Sequence, residues 1–156
     1  MTNESEQALA RLREEMARPP FHKVLAPDAV SADPVNGVVV IRLPYQPQLA
    51  RAPDEKSYHG GVIATLVDLA GHAVVATSIG RMAPTIDLRV DYLRPALNSD
   101  LTATAKLIAA GRAIARADIE ITDAQGRLIA IGRGSFSTSP PGDRGPDERS
   151  EIRDSD

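Results

Sequence analysis

Several residue types that carry specific chemistry are scarce or missing from this chain. There is no cysteine, which excludes disulfides, thiolate metal sites and thiol nucleophiles. Two phenylalanines and three tyrosines supply little material for an aromatic binding pocket. The formal net charge of −3 gives no global positive field of the kind that attracts nucleic acid.

Targeting features are equally scarce, and one long apolar run needs an explanation. The opening "MTNESEQALARLREEM" lacks the basic start and apolar centre of a signal peptide. The long apolar run, 62–79, contains Asp68 and His72 among residues patterned as in soluble proteins, so we interpret it as a core helix rather than a membrane span. We therefore expect a cytoplasmic protein that binds neither nucleic acid nor membranes.

The length of 156 residues, with 42% apolar residues, fits one domain with a substantial core. An N-terminal helix is predicted over 1–18, because its apolar residues recur at helical spacing until Pro19 and Pro20 end the pattern. Residues 21–36 look irregular and 38–43 form a β-branched first strand. A long loop then leads into the apolar helix.

After that helix the pattern changes to strict alternation. In "TIDLRVDYL" (85–93) the apolar residues fall on one face of a predicted half-buried strand. Three further strands follow, the last two joined by a hairpin turn at "DAQG". A curved antiparallel sheet wrapped around one buried helix would cover an apolar helix on nearly all sides, so we predict an α+β domain over 1–138. The charged segment 139–156 is predicted to be a disordered tail.

The start of the central helix, "HGGVIATLVDLAGHAVV" (59–75), is predicted to bind an oxygen that carries developing negative charge. Gly60 and Gly61 would present free backbone N–H groups at the positive end of the helix dipole. The alternative is that two glycines merely make a tight helix entry.

A narrow polar stripe is predicted along the same helix, at Gly61, Thr65, Asp68 and His72. A carboxylate withdrawn from water is suited to act as a general base, which would give Asp68 a catalytic role. The alternative is that Thr65 and His72 hold Asp68 for structural reasons. A metal site is disfavoured, because zinc needs three or four ligands and only two other histidines are present.

The spacing of these groups predicts a site shared between chains. Gly60 and Asp68 are eight residues apart, or about 12 Å along a helix axis, whereas a reacting carbonyl needs its donor and its base each about 3 Å away. Two antiparallel copies of the helix at a twofold interface would satisfy both distances. If the site is catalytic, we expect at least a dimer.

Two stretches together, "HGGVIATLVDLAGHAVV" and "APTIDLRVDYLRPA" (83–96), resemble the hotdog-fold acyl-CoA thioesterases of the phenylacetate-pathway (PaaI-like) type. The resemblance covers roughly residues 20–138. It implies a hotdog fold, dimers joined edge to edge that often pair into tetramers, and a thioester substrate at the dimer interface.

The resemblance also implies residue roles. Gly60, or less favourably Gly61, would polarise the thioester carbonyl, and Asp68 would act as general base or nucleophile from the opposite subunit. His59 would orient the carbonyl or the turn, and Thr85 would hold the attacking water. Related sequences often place an asparagine about six residues before the HGG histidine, whereas this chain has "PDEKSY" there.

The sequence therefore predicts an enzyme that hydrolyses an acyl-CoA to a free acid and coenzyme A, without a metal or redox cofactor. Thr65 is a candidate substrate-binding residue, and Arg94 and Arg89 are candidates for the coenzyme A phosphates; exposed strand arginines are the alternative. The rival function is a non-catalytic acyl-CoA binding or sensing domain on the same fold. A hydratase would need a different Asp/His arrangement.

Overall fold

The structure, a computed structural model, describes residues 3–140. A 15-residue helix opens this part, and a single long helix lies in its middle. The helices are α1 (Asn3–Ala17), the short α2 (His22–Leu25) and α3 (Gly60–Ile79). The strands are β1 (Asp28–Asp33), β2 (Val38–Leu43), β3 (Thr85–Tyr92), β4 (Leu101–Ala110), β5 (Ile114–Asp123) and β6 (Leu128–Ser137).

The six strands form one antiparallel sheet in the order β1-β2-β4-β5-β6-β3. Short turns join β4, β5 and β6, while β3 follows α3 and pairs only with β6. Both β1 and β3 are therefore edge strands, and one side of each backbone has no partner strand in the described chain. The predicted sheet around a single long helix is confirmed.

The core lies between α3 and the concave face of the sheet, where β4 and β5 contribute alternate small and aliphatic residues. In α3, Leu66, Val67, Ala70 and Ala73 are at most 1% exposed. This close packing depends on Gly71: an added Cβ there would lie 2.6 Å from the ring of buried Phe136. Although α3 is long and apolar enough to span a membrane, most of it is buried in the protein, as expected for a core helix.

One line of α3 is left uncovered, and it coincides with the predicted polar stripe. Thr65, Asp68 and His72 are each partly exposed, and Gly61 is exposed. The helix N-terminus is capped by the side chain of His59, whose Nδ1 accepts a hydrogen bond from the Gly61 N–H at 2.9 Å. The far end closes at Gly80, in the left-handed conformation (φ 73°) that favours glycine.

Two sequence expectations differ from the structure. Residues 28–33, expected to be irregular, form β1, an edge strand whose mixture of small and acidic residues gives no apolar alternation. In β3 the expected inner face is only partly covered: Ile86 and Tyr92 remain more than half exposed, because an edge strand has a neighbour on one side only. Most of the predicted tail, from residue 141 onwards, lies outside the described residues.

Candidate active site

Asp68 is tied to the first residue of β3. The Thr85 hydroxyl donates to Asp68 Oδ1 at 2.7 Å, while Oδ2 accepts no hydrogen bond from the part of the chain described here. Asp68 is partly exposed, so the expected withdrawal of this carboxylate from water is incomplete in a single chain. One carboxylate oxygen is therefore fixed and the other remains available to a ligand or to water.

The alternative that Thr65 and His72 hold this carboxylate is wrong. The Thr65 hydroxyl donates instead to the Gly61 carbonyl at 2.9 Å, one helical turn back. His72 Nδ1 lies 2.9 Å from the Ala83 carbonyl, and its Nε2 lies 3.3 Å from a carboxylate oxygen of Glu15 in α1. His72 thus joins α1 to the central helix, and Thr85 is the one hydrogen-bond partner of Asp68 within residues 3–140.

The two glycines differ in the availability of their N–H groups. The Gly61 N–H is already used by His59. The Gly60 N–H lies in the first turn, where α-helices have no internal acceptor, and it donates no hydrogen bond within residues 3–140. The Tyr92 hydroxyl fixes the Gly60 carbonyl at 2.9 Å. Gly60 is therefore the free donor of the pair.

Asp68 and Gly60 line different cavities in one chain. Asp68 lines a cavity of about 430 Å³ together with Thr65, Leu69 and Thr85. The turn between α1 and α2, formed by residues 19–21, also lines this cavity. Gly60 lines a separate cavity of about 350 Å³.

Strand β3 explains this separation, because its two ends hold the two groups apart. Thr85, its first residue, contacts Asp68, and Tyr92, its last residue, contacts Gly60. One carbonyl carbon in a single chain cannot lie beside both. The geometry agrees with the shared-site arrangement derived from the helical spacing.

The structure separates the two arginines predicted to bind phosphate. Arg94 lines the Gly60 cavity and donates to the Leu128 carbonyl. Arg89 instead pairs with Asp91 at 3.2 Å and lines a different cavity, on the outer face of the sheet. Only Arg94 is brought near a predicted catalytic group.

Three residues near the site were missed by sequence reasoning. Tyr92 could have been found from the alternation of β3, which places it on the inner face. Glu15 had no signal, since its partner lies 57 residues away in the chain. Arg51, which lines the Gly60 cavity, stands in a charged loop where nothing in the sequence distinguishes it.

The loop before α3 is firmly anchored despite its length. Tyr58 is 3% exposed, its N–H donates to the Ala96 carbonyl at 2.8 Å and its hydroxyl donates to the Ser99 carbonyl at 3.0 Å. Burial, with the nearby Asp100 charge, raises the pKa of Tyr58 well above its ordinary value. Tyr58 therefore remains a neutral structural residue that positions His59 and the start of the helix.

Within residues 3–140, no group of three or more His, Cys, Asp or Glu side chains lies where it could hold a metal ion. The Asp68 cavity is lined by two carboxylates, two imidazoles, two threonine hydroxyls and one guanidinium. The Gly60 cavity is lined by two guanidiniums and three hydroxyls, together with Gly60 and its free N–H.

Comparisons with known proteins place this geometry in a family. The Thioesterase superfamily matches residues 56–130, which include both the HGG turn and β3. Acyl-coenzyme A thioesterase PaaI of Escherichia coli is 34% identical over 113 residues, covering 72% of this chain and 77% of PaaI. The medium/long-chain acyl-CoA thioesterase YigI of E. coli is 34% identical over 107 residues, covering 58% of this chain and 68% of YigI.

A solved structure gives the same result for the fold. E. coli PaaI superposes with a TM-score of 0.75 at 28% identity, covering 85% of this chain and 94% of that one. The predicted hotdog fold is confirmed by this likeness. The chain therefore belongs to the thioesterase superfamily, as a thioester hydrolase of the hotdog fold.

Proposed function

We propose that this protein hydrolyses acyl-CoA thioesters to a free acid and coenzyme A, at sites formed by Gly60 of one chain and Asp68 of another. The similarity to PaaI and YigI, both named acyl-CoA thioesterases, supports the substrate class. The observation that carries the residue roles is the free Gly60 N–H on the same helix as a carboxylate held by Thr85.

In the proposed reaction, water attacks the thioester carbonyl carbon while Asp68 accepts the water proton through its free oxygen. Thr85 keeps the carboxylate oriented through its hydrogen bond to Oδ1, and its hydroxyl oxygen is able to accept a hydrogen bond from the attacking water. The Gly60 N–H, strengthened by the helix dipole, stabilises the oxyanion of the tetrahedral intermediate. The intermediate collapses with release of the coenzyme A thiolate, which takes the proton from Asp68 and so restores the carboxylate. No cofactor is needed for these steps.

The roles of His59 and of the second chain follow from the same contacts. His59 holds the turn by capping Gly61, which keeps the Gly60 N–H directed away from the helix. Since Gly60 and Asp68 line separate cavities, the proposal requires a dimer, whether or not dimers pair further into tetramers. A cytoplasmic location remains a prediction.

The test is release of free thiol from short, medium and aryl acyl-CoAs by wild type and by Asp68→Asn. We expect turnover by wild type and a fall in kcat of about 10²- to 10⁴-fold in the variant, the range for loss of a general base. Asp87→Asn is the matched control, because Asp87 is an exposed carboxylate on β3 that contributes to neither cavity.

Either of two results would contradict the proposal. Saturable acyl-CoA binding without turnover by wild type would favour the sensing domain instead. If Asp68→Asn retains wild-type turnover with its oligomer intact, the protein is a thioesterase but Asp68 is not its general base.

A further inference from the structure

We propose that Arg51 binds a phosphate of the coenzyme A moiety, and that Glu55 competes with this phosphate for the same guanidinium. The inference rests on the proposed function, because it assigns a binding residue to the same substrate. It adds a residue that the sequence did not single out, and it gives a function to the charged loop that precedes α3.

The charged side chains that line the cavity at Gly60 are all basic. Arg51 and Arg94 both line it, and none of its lining residues is acidic. These two guanidinium groups contrast with the net charge of −3 for the whole chain, which repels an anionic substrate at long range. Guanidinium groups bind phosphate oxygens through paired, charge-assisted hydrogen bonds, so this cavity is suited to the anionic part of the substrate.

The position of Arg51 fits the length of the coenzyme A arm. The backbone N–H of Arg51 donates to the Ser57 carbonyl at 2.9 Å, and Ser57 precedes Gly60 by three residues, at most about 10 Å of extended backbone. The arginine side chain adds about 6 Å, since it contains several bonds of about 1.5 Å. The pantetheine arm spans roughly 15 Å from its sulfur to the diphosphate, with about a dozen similar bonds. Arg51 and Gly60 line the same cavity, and the arm is long enough for the phosphates to contact Arg51 while the thioester carbonyl lies at Gly60.

Glu55 holds the guanidinium in the free protein. Its carboxylate pairs with the Arg51 Nε and accepts a hydrogen bond from the Ser57 hydroxyl at 3.1 Å. The pairing raises the pKa of Arg51 and lowers the pKa of Glu55, so both groups are charged at neutral pH. The two side chains are 58% and 42% exposed, and exposed pairs of this kind are weak in water. A phosphate, with more negative charge, can replace the carboxylate.

The experiment compares an acyl-CoA with the same acyl group on N-acetylcysteamine, a thioester without phosphates. In Arg51→Gln we expect KM for the acyl-CoA to rise roughly 5-fold, the effect of one partly exposed charged hydrogen bond, with kcat unchanged. The dissociation constant of coenzyme A itself, measured by calorimetry, should rise equally. Kinetics with the N-acetylcysteamine thioester should not change.

Two further variants sharpen the result. Glu55→Gln removes the competing carboxylate and should lower KM for the acyl-CoA. Arg42→Gln is the matched control, because Arg42 pairs with Asp28 at 2.7 Å and is 50% exposed but lines neither cavity of the proposed site. It should leave both substrates unaffected.

The outcomes separate this inference from the function on which it rests. If wild type hydrolyses neither thioester, the proposed function is wrong, and the coenzyme A affinity of Arg51→Gln still decides the role of Arg51. If both thioesters are hydrolysed and Arg51→Gln matches wild type on each, only the inference is wrong. An equal loss on both substrates would make Arg51 a structural residue and would overturn the inference as well.

Discussion

Gly60 and Gly61 are neighbours with the same side chain, yet their surroundings give them different chemical capacities. The Gly61 N–H is bound by the imidazole of His59, whereas the Gly60 N–H points out of the first helical turn without an acceptor in the described chain. The sequence predicted that one of the two would act on a carbonyl. It favoured Gly60 only through resemblance, and the cap formed by His59 now supplies a physical reason.

The Gly60 N–H can be removed without disturbing the helix. Proline lacks this group and is well accepted at the first helical position, and His59 already has the extended backbone (φ −63°, ψ 135°) that proline requires before it. We expect Gly60→Pro to lower kcat about 10²- to 10³-fold, the effect of losing one oxyanion donor. Thiol release measures this loss, and circular dichroism checks the fold.

Gly60→Ala is the comparison for that variant, because it keeps the N–H. An added Cβ would lie 3.6 Å from the Tyr92 ring, an ordinary contact, so the protein itself does not require glycine here. Equal losses in the proline and alanine variants would mean that space for the ligand matters at Gly60, and that the N–H does not.

A second residue-scale prediction concerns Thr77, near the end of α3. Its hydroxyl oxygen is buried without a hydrogen-bond partner within the described residues. Valine has nearly the same shape without the polar atom, so Thr77→Val should raise the free energy of unfolding by about 1 kcal/mol. Urea denaturation measures the change. A destabilised variant would show that the hydroxyl has a partner, such as a bound water.

At the scale of elements, the packing of α3 against the sheet depends on a glycine inside the helix. Alanine at position 71 would improve helix propensity by about 1 kcal/mol, but its Cβ would lie 2.6 Å from the Phe136 ring and 3.1 Å from Ile119. Because overpacking a dense core costs about 1–3 kcal/mol, we expect Gly71→Ala to be destabilised. Thermal unfolding tests this.

Ser78→Ala, at an exposed position of the same helix, is the control for propensity alone and should be at least as stable as wild type. Gly71→Ala should cost less stability in a Phe136→Leu background than in wild type, because the ring that the added Cβ would contact is then absent. The double variant is therefore compared with Phe136→Leu, and Gly71→Ala with wild type. A Gly71→Ala protein more stable than wild type would show that the sheet moves away from the helix at little cost.

The turn between β5 and β6 carries a pH-dependent element. Burial raises the pKa of Asp123, but hydrogen bonds from the Arg127 backbone and side chain and from the Gln125 N–H outweigh it, so the pKa is lowered. A lowered pKa in the folded state adds stability above the unfolded value of about 3.9, and this stability is lost as the pH falls through the folded value.

Asp123→Asn should therefore be less stable than wild type at pH 6, with a difference that shrinks as the pH falls from about 5 towards 2. Thermal midpoints across this range measure it. The double variant Asp123→Asn with Arg127→Gln separates the ion pair from the backbone contacts. A difference that stays constant with pH would mean that the charge of Asp123 contributes nothing.

The elements differ in how well the sequence predicted them, and the reason is burial. Strands β4 and β5 lie in the middle of the sheet, and their alternation marks one buried face. Strand β1 is at the edge beneath α1, where small and acidic residues satisfy the packing and leave no pattern. At the site, the helical pattern found Asp68 and the start of the helix at Gly60. The alternation of β3 already placed Tyr92 on the inner face, where it contacts Gly60, whereas Glu15 acts through a pairing 57 residues away that one sequence does not encode visibly.

At the scale of the whole molecule, a site shared between chains predicts complementation. Asp68→Asn and Gly60→Pro chains should each be inactive alone. In a mixed dimer one site takes its intact Gly60 from the first chain and its intact Asp68 from the second. Random pairing makes half of the dimers mixed, each with one active site of two, so the mixture should recover about a quarter of wild-type activity.

Co-expression with two different affinity tags allows the mixed dimer to be isolated and assayed. The doubly substituted chain, paired with itself, is the control and should stay inactive. If the mixed dimer has no more activity than the single variants, each site lies within one chain. In that case β3 must move to bring the Asp68 cavity and the Gly60 cavity together.

The open edge of β3 has a consequence for exchange with solvent. In an isolated chain, the amide protons on the side of β3 away from β6 have no partner strand among the described residues, and such protons are replaced rapidly by deuterium. Pairing of β3 with a second copy would protect alternate residues along the strand and leave the already bonded ones unchanged. Deuterium uptake at 85–92, measured as a function of protein concentration, would thus report dimer formation directly. It needs no substitution of a catalytic group.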